Sequence, residues 1–205
     1  MKVKALALGI VLISLVLAAC VRSINKKSSD HHAYTANAAQ MKGDWDVARR
    51  HWAKALVNAQ LGDEPIEKLA VLNYEYGRAL GVTCFFEESE KYLQQAMKSD
   101  EQVSGPVYMS LLELARLNYD QNNFSQAVSY FEKLPTIYKE IKIENHDPIG
   151  TTLVYEEYSI SLKRTNDNMK SKNFERKANS LRNNNPRSFS KSERTPYGSQ
   201  CLNNN

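Results

Sequence analysis

The sequence predicts an all-α fold of about four helical hairpins, and three observations carry that prediction. The stretch GDWDVARRHWAKAL, residues 43–56, places Gly43 where a tight interhelical turn needs a positive φ, and Asp44 where it can cap the helix that follows. In that helix Trp45, Ala48, Trp52 and Ala55 fall on one face, small residues alternating with large ones. Later stretches repeat the pattern, and Pro65, Pro106 and Pro148 divide the chain at intervals of 41 and 42 residues. Each proline stands ahead of a first helix, where its missing N–H has no helical partner to lose. No stretch shows convincing strand alternation between turn signals.

Taken in order, the chain begins with a targeting segment. Lys2 and Lys4 precede an apolar run from Ala5 to Leu17, short for a membrane span and suited to a signal h-region. The run ends in Leu17-Ala18-Ala19-Cys20, which resembles the lipobox of bacterial lipoproteins. That resemblance implies a signal peptide over residues 1–19, lipidation of Cys20 and attachment to a membrane through the lipid. The plain alternative is an ordinary signal peptide cut after Ala19, with an incidental cysteine. Val21 stands where an aspartate would be the usual inner-membrane retention signal, so the expected address is the bacterial outer membrane, facing the periplasm. Residues 20–30, polar through Lys26, Lys27, Ser28 and Ser29, read as a lipidated tether, with a frayed first helix as the alternative.

The chain from Cys20 to Asn205 has 186 residues, enough for one domain with a core. Its charge is uneven. Residues 163–194 hold ten Lys/Arg and three Asp/Glu, whereas residues 20–162 hold fifteen and twenty. The body is mildly acidic and the C-terminal end basic.

Residues 31–182 carry the repeats. The first copy pairs an alanine-rich helix (Ala33, Ala36, Ala38, Ala39) with the helix after Gly43. The second, residues 73–100, puts Cys84 at the turn and Phe86, Ser89 and Ala96 at the positions of Trp45, Ala48 and Ala55. The third, residues 114–134, has Asn122 at the turn, followed by Phe124, Ala127, Phe131 and Leu134. The fourth, residues 158–181, diverges, with Asn166 at the turn and Ser171 and Ala178 in the small positions. Asparagine is the best non-glycine occupant of a left-handed turn. Asp63, Ser104 and Asp147, just ahead of the three prolines, are the expected caps of the first helices.

These copies resemble tetratricopeptide repeats (TPR). The match rests on Gly77 and Leu80 in a first helix, Gly43-Asp44-Trp45 at a turn, and the pairs Ala48/Trp52 and Ala127/Phe131. It implies a TPR-like right-handed superhelix whose concave face, lined by the first helices, binds a protein or peptide. The period exceeds the usual 34 residues, and the family's closing proline is missing, so helices or joints are expected to be longer.

Projecting the repeat register onto the concave face gives Asn37, Tyr74, Arg78, Arg116, Tyr119, Glu156 and Lys163 as the partner-binding groove. Tyr and Arg are frequent interface anchors. Arg78 and Arg116 occupy equivalent positions and could grip a carboxylate or phosphate together. Alternatively Glu75 and Glu113, three residues earlier, satisfy them within the helix. Asn37 matches one position of the family's carboxylate clamp, but Ala33 stands where its first lysine belongs, so that activity is not expected.

Nothing points to catalysis, a cofactor or a metal centre. His31-His32 has no ligand at the right spacing, and there is no phosphate-cradling glycine loop. An exported compartment permits a disulfide between Cys84 and Cys201, the alternative being a small, half-buried turn cysteine. Residues 183–205, rich in Asn and Ser, read as a disordered basic tail that could meet lipid phosphates or an acidic partner. Nucleic acid is disfavoured by the exported location. The expected function is that of a lipid-anchored scaffold or adaptor in envelope assembly, such as a type IV pilus, a secretion system or the peptidoglycan machinery. The alternatives are a self-associating structural lipoprotein and an enzyme whose site the sequence does not display.

Overall fold

The four expected turn residues share one backbone conformation, and that fact organises the fold. In the computed structural model, which describes residues 2–186 and 194–201 with side chains from Ala19 onward, Gly43, Cys84, Asn122 and Asn166 have φ of 77°, 73°, 60° and 65°. Each reverses the chain between two antiparallel helices. The hairpins are α1 (Lys2–Met41) with α2 (Trp45–Leu61), α3 (Ile66–Val82) with α4 (Phe86–Val103), α5 (Val107–Asp120) with α6 (Phe124–Phe131), and α9 (Pro148–Arg164) with α10 (Asn168–Asn184). Two short helices, α7 (Leu134–Glu140) and α8 (Ile143–His146), lie between the third and fourth hairpins. No strand occurs among the described residues.

Close packing within each hairpin follows from small residues facing one another. Seven positions before the turn stand Ala36, Gly77, Ala115 and Ser159, all buried; five positions after it stand Ala48, Ser89, Ala127 and Ser171, also buried. A Cβ on Gly77 would come within 2.9 Å of Leu93, so that position has no room for any side chain. Where the small residue is serine, its hydroxyl donates to a carbonyl across the hairpin: Ser89 Oγ to Gly77 O at 2.7 Å and Ser159 Oγ to Ser171 O at 2.9 Å. A buried hydroxyl so partnered costs little. The large residues Trp45, Trp52, Leu93, Phe131 and Phe174 then fill the space beside these contacts.

The first helix departs from expectation. Residues 20–30, read as a tether, continue α1 and lie along α2: Ser29 is fully buried and its hydroxyl donates to Ala55 O at 2.9 Å. The reason is length. The 17 residues of α2 span about 26 Å, and an antiparallel partner ending at Met41 has to begin near residue 25 to cover them. Arg22–Asp63 and Lys68–Asp30 ion pairs fasten this stretch to the next joint.

The long period also has a visible cause. Helices α2, α3, α4, α9 and α10 each run 17 or 18 residues. Helix α6 has only eight, and Pro135, in the first turn of α7, marks where the chain restarts in a new direction. Asp147 caps α9 as expected, accepting from Gly150 N at 2.9 Å. Asp63 and Ser104 do not cap; they take left-handed φ of 57° and 55°, and Pro65 and Pro106 stand at the N-cap positions. Residues 187–193 and 202–205, and the side chains of the apolar run Ala5–Leu17, lie outside the described residues.

Ala48 and Ala127 have no exposed surface. Ala48→Leu or Ala127→Leu is expected to lower stability by about 1–3 kcal/mol through overpacking, read as a reduced urea midpoint. An unchanged midpoint would show that the hairpin interior has room that the packing described here does not allow.

Candidate functional site: a charged concave face covered by the C-terminal segment

The first helices put a second periodic feature on the concave face. Glu75, Glu113 and Glu157 each stand nine residues before a turn residue, and Arg78 and Arg116 stand six before. A spacing of three puts each acid–base pair on one helical face. In the structure the pairs also reach across helices. Arg78 contacts Glu75 of its own helix at 3.2 Å and Glu113 of α5 at 3.7 Å. Arg116 contacts Glu113 of its own helix at 3.7 Å and Glu157 of α9 at 2.9 Å. The result is a ladder joining α3, α5 and α9. On its other side Glu75 accepts from Gln40 Nε2 at 3.3 Å, and Gln40 Oε1 accepts from the Trp52 indole at 3.1 Å, which ties in the first hairpin.

The fourth copy lacks the third arginine; Ile160 stands there. The cation for Glu157 comes instead from Arg194, in the C-terminal segment, at 3.1 Å. Arg194 also pairs with Asp120 on α5. The segment then crosses the concave face. Tyr197 N donates to Asp120 Oδ2 at 2.8 Å, and its buried hydroxyl donates to Glu113 Oε2 at 2.6 Å. Gly198 N donates to Gly81 O and Gln200 N to Val82 O, both at 3.0 Å, and Gln200 Nε2 reaches Gly43 O at 2.9 Å. Cys201 closes a disulfide with Cys84, with the two Cα atoms 5.1 Å apart. In the chain-entropy picture, a loop of this length contributes about 4–5 kcal/mol. The disordered tail expected from composition is therefore a docked strap over residues 194–201. Burying one tyrosine, partnering three backbone donors and salt-bridging an arginine outweigh the polarity of its other residues.

Gly81 makes the docking possible. A Cβ there would come within 2.3 Å of the Tyr197 ring, so the ring lies directly on the helix backbone.

Beside the strap lies a cleft of about 370 Å³, lined by Tyr74, Arg78, Leu112, Arg116, Tyr138 and Val154 among others, with Arg194 and Thr195 on one wall. Three of the expected groove residues, Tyr74, Arg78 and Arg116, meet there. Tyr119 lies nearby, its ring 5.9 Å from the Arg194 guanidinium. Asn37 is exposed on α1, away from the cleft. Glu156 and Lys163 line a separate depression between α9 and α10, and Glu156 pairs with Arg182 at 2.6 Å. The concave residue of α9 is Glu157, one position on. Glu157 keeps the ladder register of Glu75 and Glu113, nine residues before the turn, whereas Glu156 and Lys163 face a depression that no later hairpin covers among the described residues. Sequence reasoning also missed Glu113 as a shared partner; its periodicity with Glu75 and Glu157 was the available signal.

The carboxylate that Arg78 and Arg116 grip is thus an internal one. Burial alone would push the Glu113 carboxyl up; Arg78 and Arg116, helped by the Tyr197 hydroxyl and Arg194, outweigh it and hold the group below its ordinary value of 4.5. Burial first, then Glu113, pushes the Tyr197 hydroxyl well above 10. Elsewhere His51 approaches His32, Nδ1 to Nδ1 at 3.2 Å. Burial and then neighbouring positive or titrating groups, Lys54 and His31 among them, lower both imidazoles. No cluster of three or more metal-ligating side chains occurs among the described residues.

Comparison with solved structures supports the repeat architecture. The chain is similar to BtubC (BKLC) from P. vanneervenii, with a TM-score of 0.71 and 17% identity over 82% of this chain and 68% of that one. It is also similar to a Podosopora anserina putative kinesin light chain with nearly identical TPR-like repeats, with a TM-score of 0.61 and 16% identity over 88% and 90% of the two chains. No family model matches the chain, and no curated protein does. The fold is all-α and TPR-like.

Because the Glu113 carboxyl is lowered on folding, its contribution to stability is complete above pH 4.5 and is lost as the pH falls below that value. Unfolding free energy should therefore drop as the pH falls below 4.5 in the natural chain and drop less steeply in Glu113→Gln. Equal slopes would show that Glu113 is not the group that titrates.

Proposed function

We propose that this protein is a lipid-anchored scaffold that holds a protein or peptide partner in a bacterial envelope assembly. The observation that carries the reading is the concave face. Aromatic and arginine side chains of two successive first helices, α3 and α5, line a cleft of about 370 Å³, with α9 as a further wall. Extended peptides suit such a face, because regularly spaced charged and aromatic groups can engage alternate side chains of a bound chain. The TPR-like neighbours share the architecture that produces a face of this kind, and architecture by itself leaves the partner open.

The anchor belongs to the same proposal. Cys20 is exposed and has no disulfide partner, and the apolar run that precedes it has the length of a signal h-region. A chain lipidated there would sit at a membrane surface with its repeats facing the aqueous side, and an outer-membrane, periplasm-facing position follows from Val21 after the cysteine. No helix among the described residues is long and apolar enough to cross a membrane. Partners of this kind include a pilus, a secretion system or the peptidoglycan machinery.

Charge reversal at Arg78 or Arg116 does not test the groove, since both are built into the buried ladder and their loss strands a buried glutamate. Crosslinking and pull-down from intact envelopes, comparing the natural chain with Cys20→Ala, tests the proposal directly. Recovery of one envelope assembly that disappears with the variant is the expected result. Recovery of this protein alone would replace the scaffold by a self-associating structural lipoprotein.

A further inference from the structure

We propose that the concave face is a binding site for an extended peptide with an arginine three residues ahead of a Tyr-Gly pair, that residues 194–201 are its resident occupant, and that the Cys84–Cys201 disulfide latches this occupant until a dithiol opens it. The inference rests on the reading of the concave face as a partner-binding surface and specifies its ligand and its control.

The strap is bound as a separate peptide would be. Nine residues separate it from the end of α10 at Asn184, and it crosses the copies in reverse order: Glu157 of α9, Asp120 and Glu113 of α5, Gly81 and Val82 of α3, then Gly43 at the first turn. Its two anchors are an arginine and a tyrosine, the residue types that dominate peptide and protein interfaces. The receptor side is shaped for both. Asp120 and Glu157 receive the guanidinium, and the bare backbone at Gly81 receives the ring, with Glu113 accepting its hydroxyl. The α3–α4 and α9–α10 hairpins pack through their own small residues, and none of those contacts uses the strap. The open cleft continues past Arg194 and Thr195, so a ligand longer than the strap could run on from the arginine into it.

The latch is placed to be reversible. Cys201 is exposed and Cys84 is at an external turn. A dithiol thiolate can attack Cys201 Sγ, forming a mixed disulfide while Cys84 leaves as a thiolate and takes up a proton. The second thiol of the reductant then displaces Cys201 and closes its own disulfide. Two electrons and two protons pass from the dithiol to the protein. With the bond closed, an incoming peptide cannot displace the strap. With it open, residues 185–193 still tether the strap, which now competes only at a finite local concentration.

The test uses an amidated, acetylated peptide of residues 194–200 carrying a fluorophore, and the full mature chain in its natural oxidised form and as Tyr197→Ala/Cys201→Ser. Anisotropy should show saturable binding to the variant, at least tenfold weaker binding to the oxidised natural chain, and at least tenfold weaker binding to the variant when the peptide's tyrosine is replaced by alanine. Absence of binding to a variant whose helical circular dichroism matches the natural chain would overturn the proposal, as would equal binding to the oxidised chain. A second readout needs no substitution: hydrogen exchange at the Gly198 and Gln200 amides should be slow in the oxidised natural chain and accelerate at least tenfold when a dithiol is added. Unchanged protection after complete reduction overturns the latch. Peptide binding to the opened variant together with an envelope pull-down that returns no partner would keep this inference and remove the scaffold reading.

Discussion

Glu113 lies between Arg78 and Arg116 with little water to share, and an isolated carboxylate could not be kept ionised there. Its solution is two arginines, one from its own helix and one from the helix before, with the Tyr197 hydroxyl completing its shell. Each arginine in turn needs a second acid, and Glu75 and Glu157 provide them. The consequence is positional. Breaking a buried ion pair by removing one partner is costly, so the relative placement of α3, α5 and α9 is constrained to the few ångströms over which these groups can meet. Small residues set how close two helices of a hairpin come. The ladder sets how successive hairpins sit side by side, and therefore how the concave face is shaped.

The parts of this arrangement legible in the sequence were those decided locally. Gly43, Cys84, Asn122 and Asn166 were identifiable as turns because a left-handed residue between amphipathic helices is a short-range constraint, and all four take positive φ. Ala48, Ser89, Ala127 and Ser171 were identifiable for the same reason, as small residues at fixed distance from a turn. What was not legible depends on distant parts of the chain. Glu156 and Lys163 were assigned to the groove by extending the register of the earlier copies, but among the described residues no hairpin follows α10, so their side of α9 has no next first helix to form a cleft with. The stretch from Val21 to Asp30 looked like a tether because its own residues are polar; it is helical because α2 is long enough to need covering. The C-terminal segment looked unable to fold alone, which is true of it in isolation and ceases to matter once Gly81 and Glu113 supply a place for Tyr197.

The last of these shows how a repeat protein can complete a site without another repeat. The fourth copy carries Ile160 where a third ladder arginine would stand, and Arg194 brings that charge from the far end of the chain. One cation moved along the sequence keeps the electrostatics of the concave face intact while converting part of it from an open surface into a covered one.

The Cys84–Cys201 bond also decides how the chain carries tension. A pull applied between residue 20 and residue 201 passes through the sulfurs at Cys84, so everything from residue 85 to residue 200 is bypassed. Only α1, α2 and α3 with their turns lie on the loaded path, and the chain can be drawn out to about 220 Å instead of about 630 Å. The backbone of α4 and of the last two hairpins carries none of this load. Under load the protein is a short spring with a sheltered module hanging off its load path, and breaking a single covalent bond turns the whole chain into the spring.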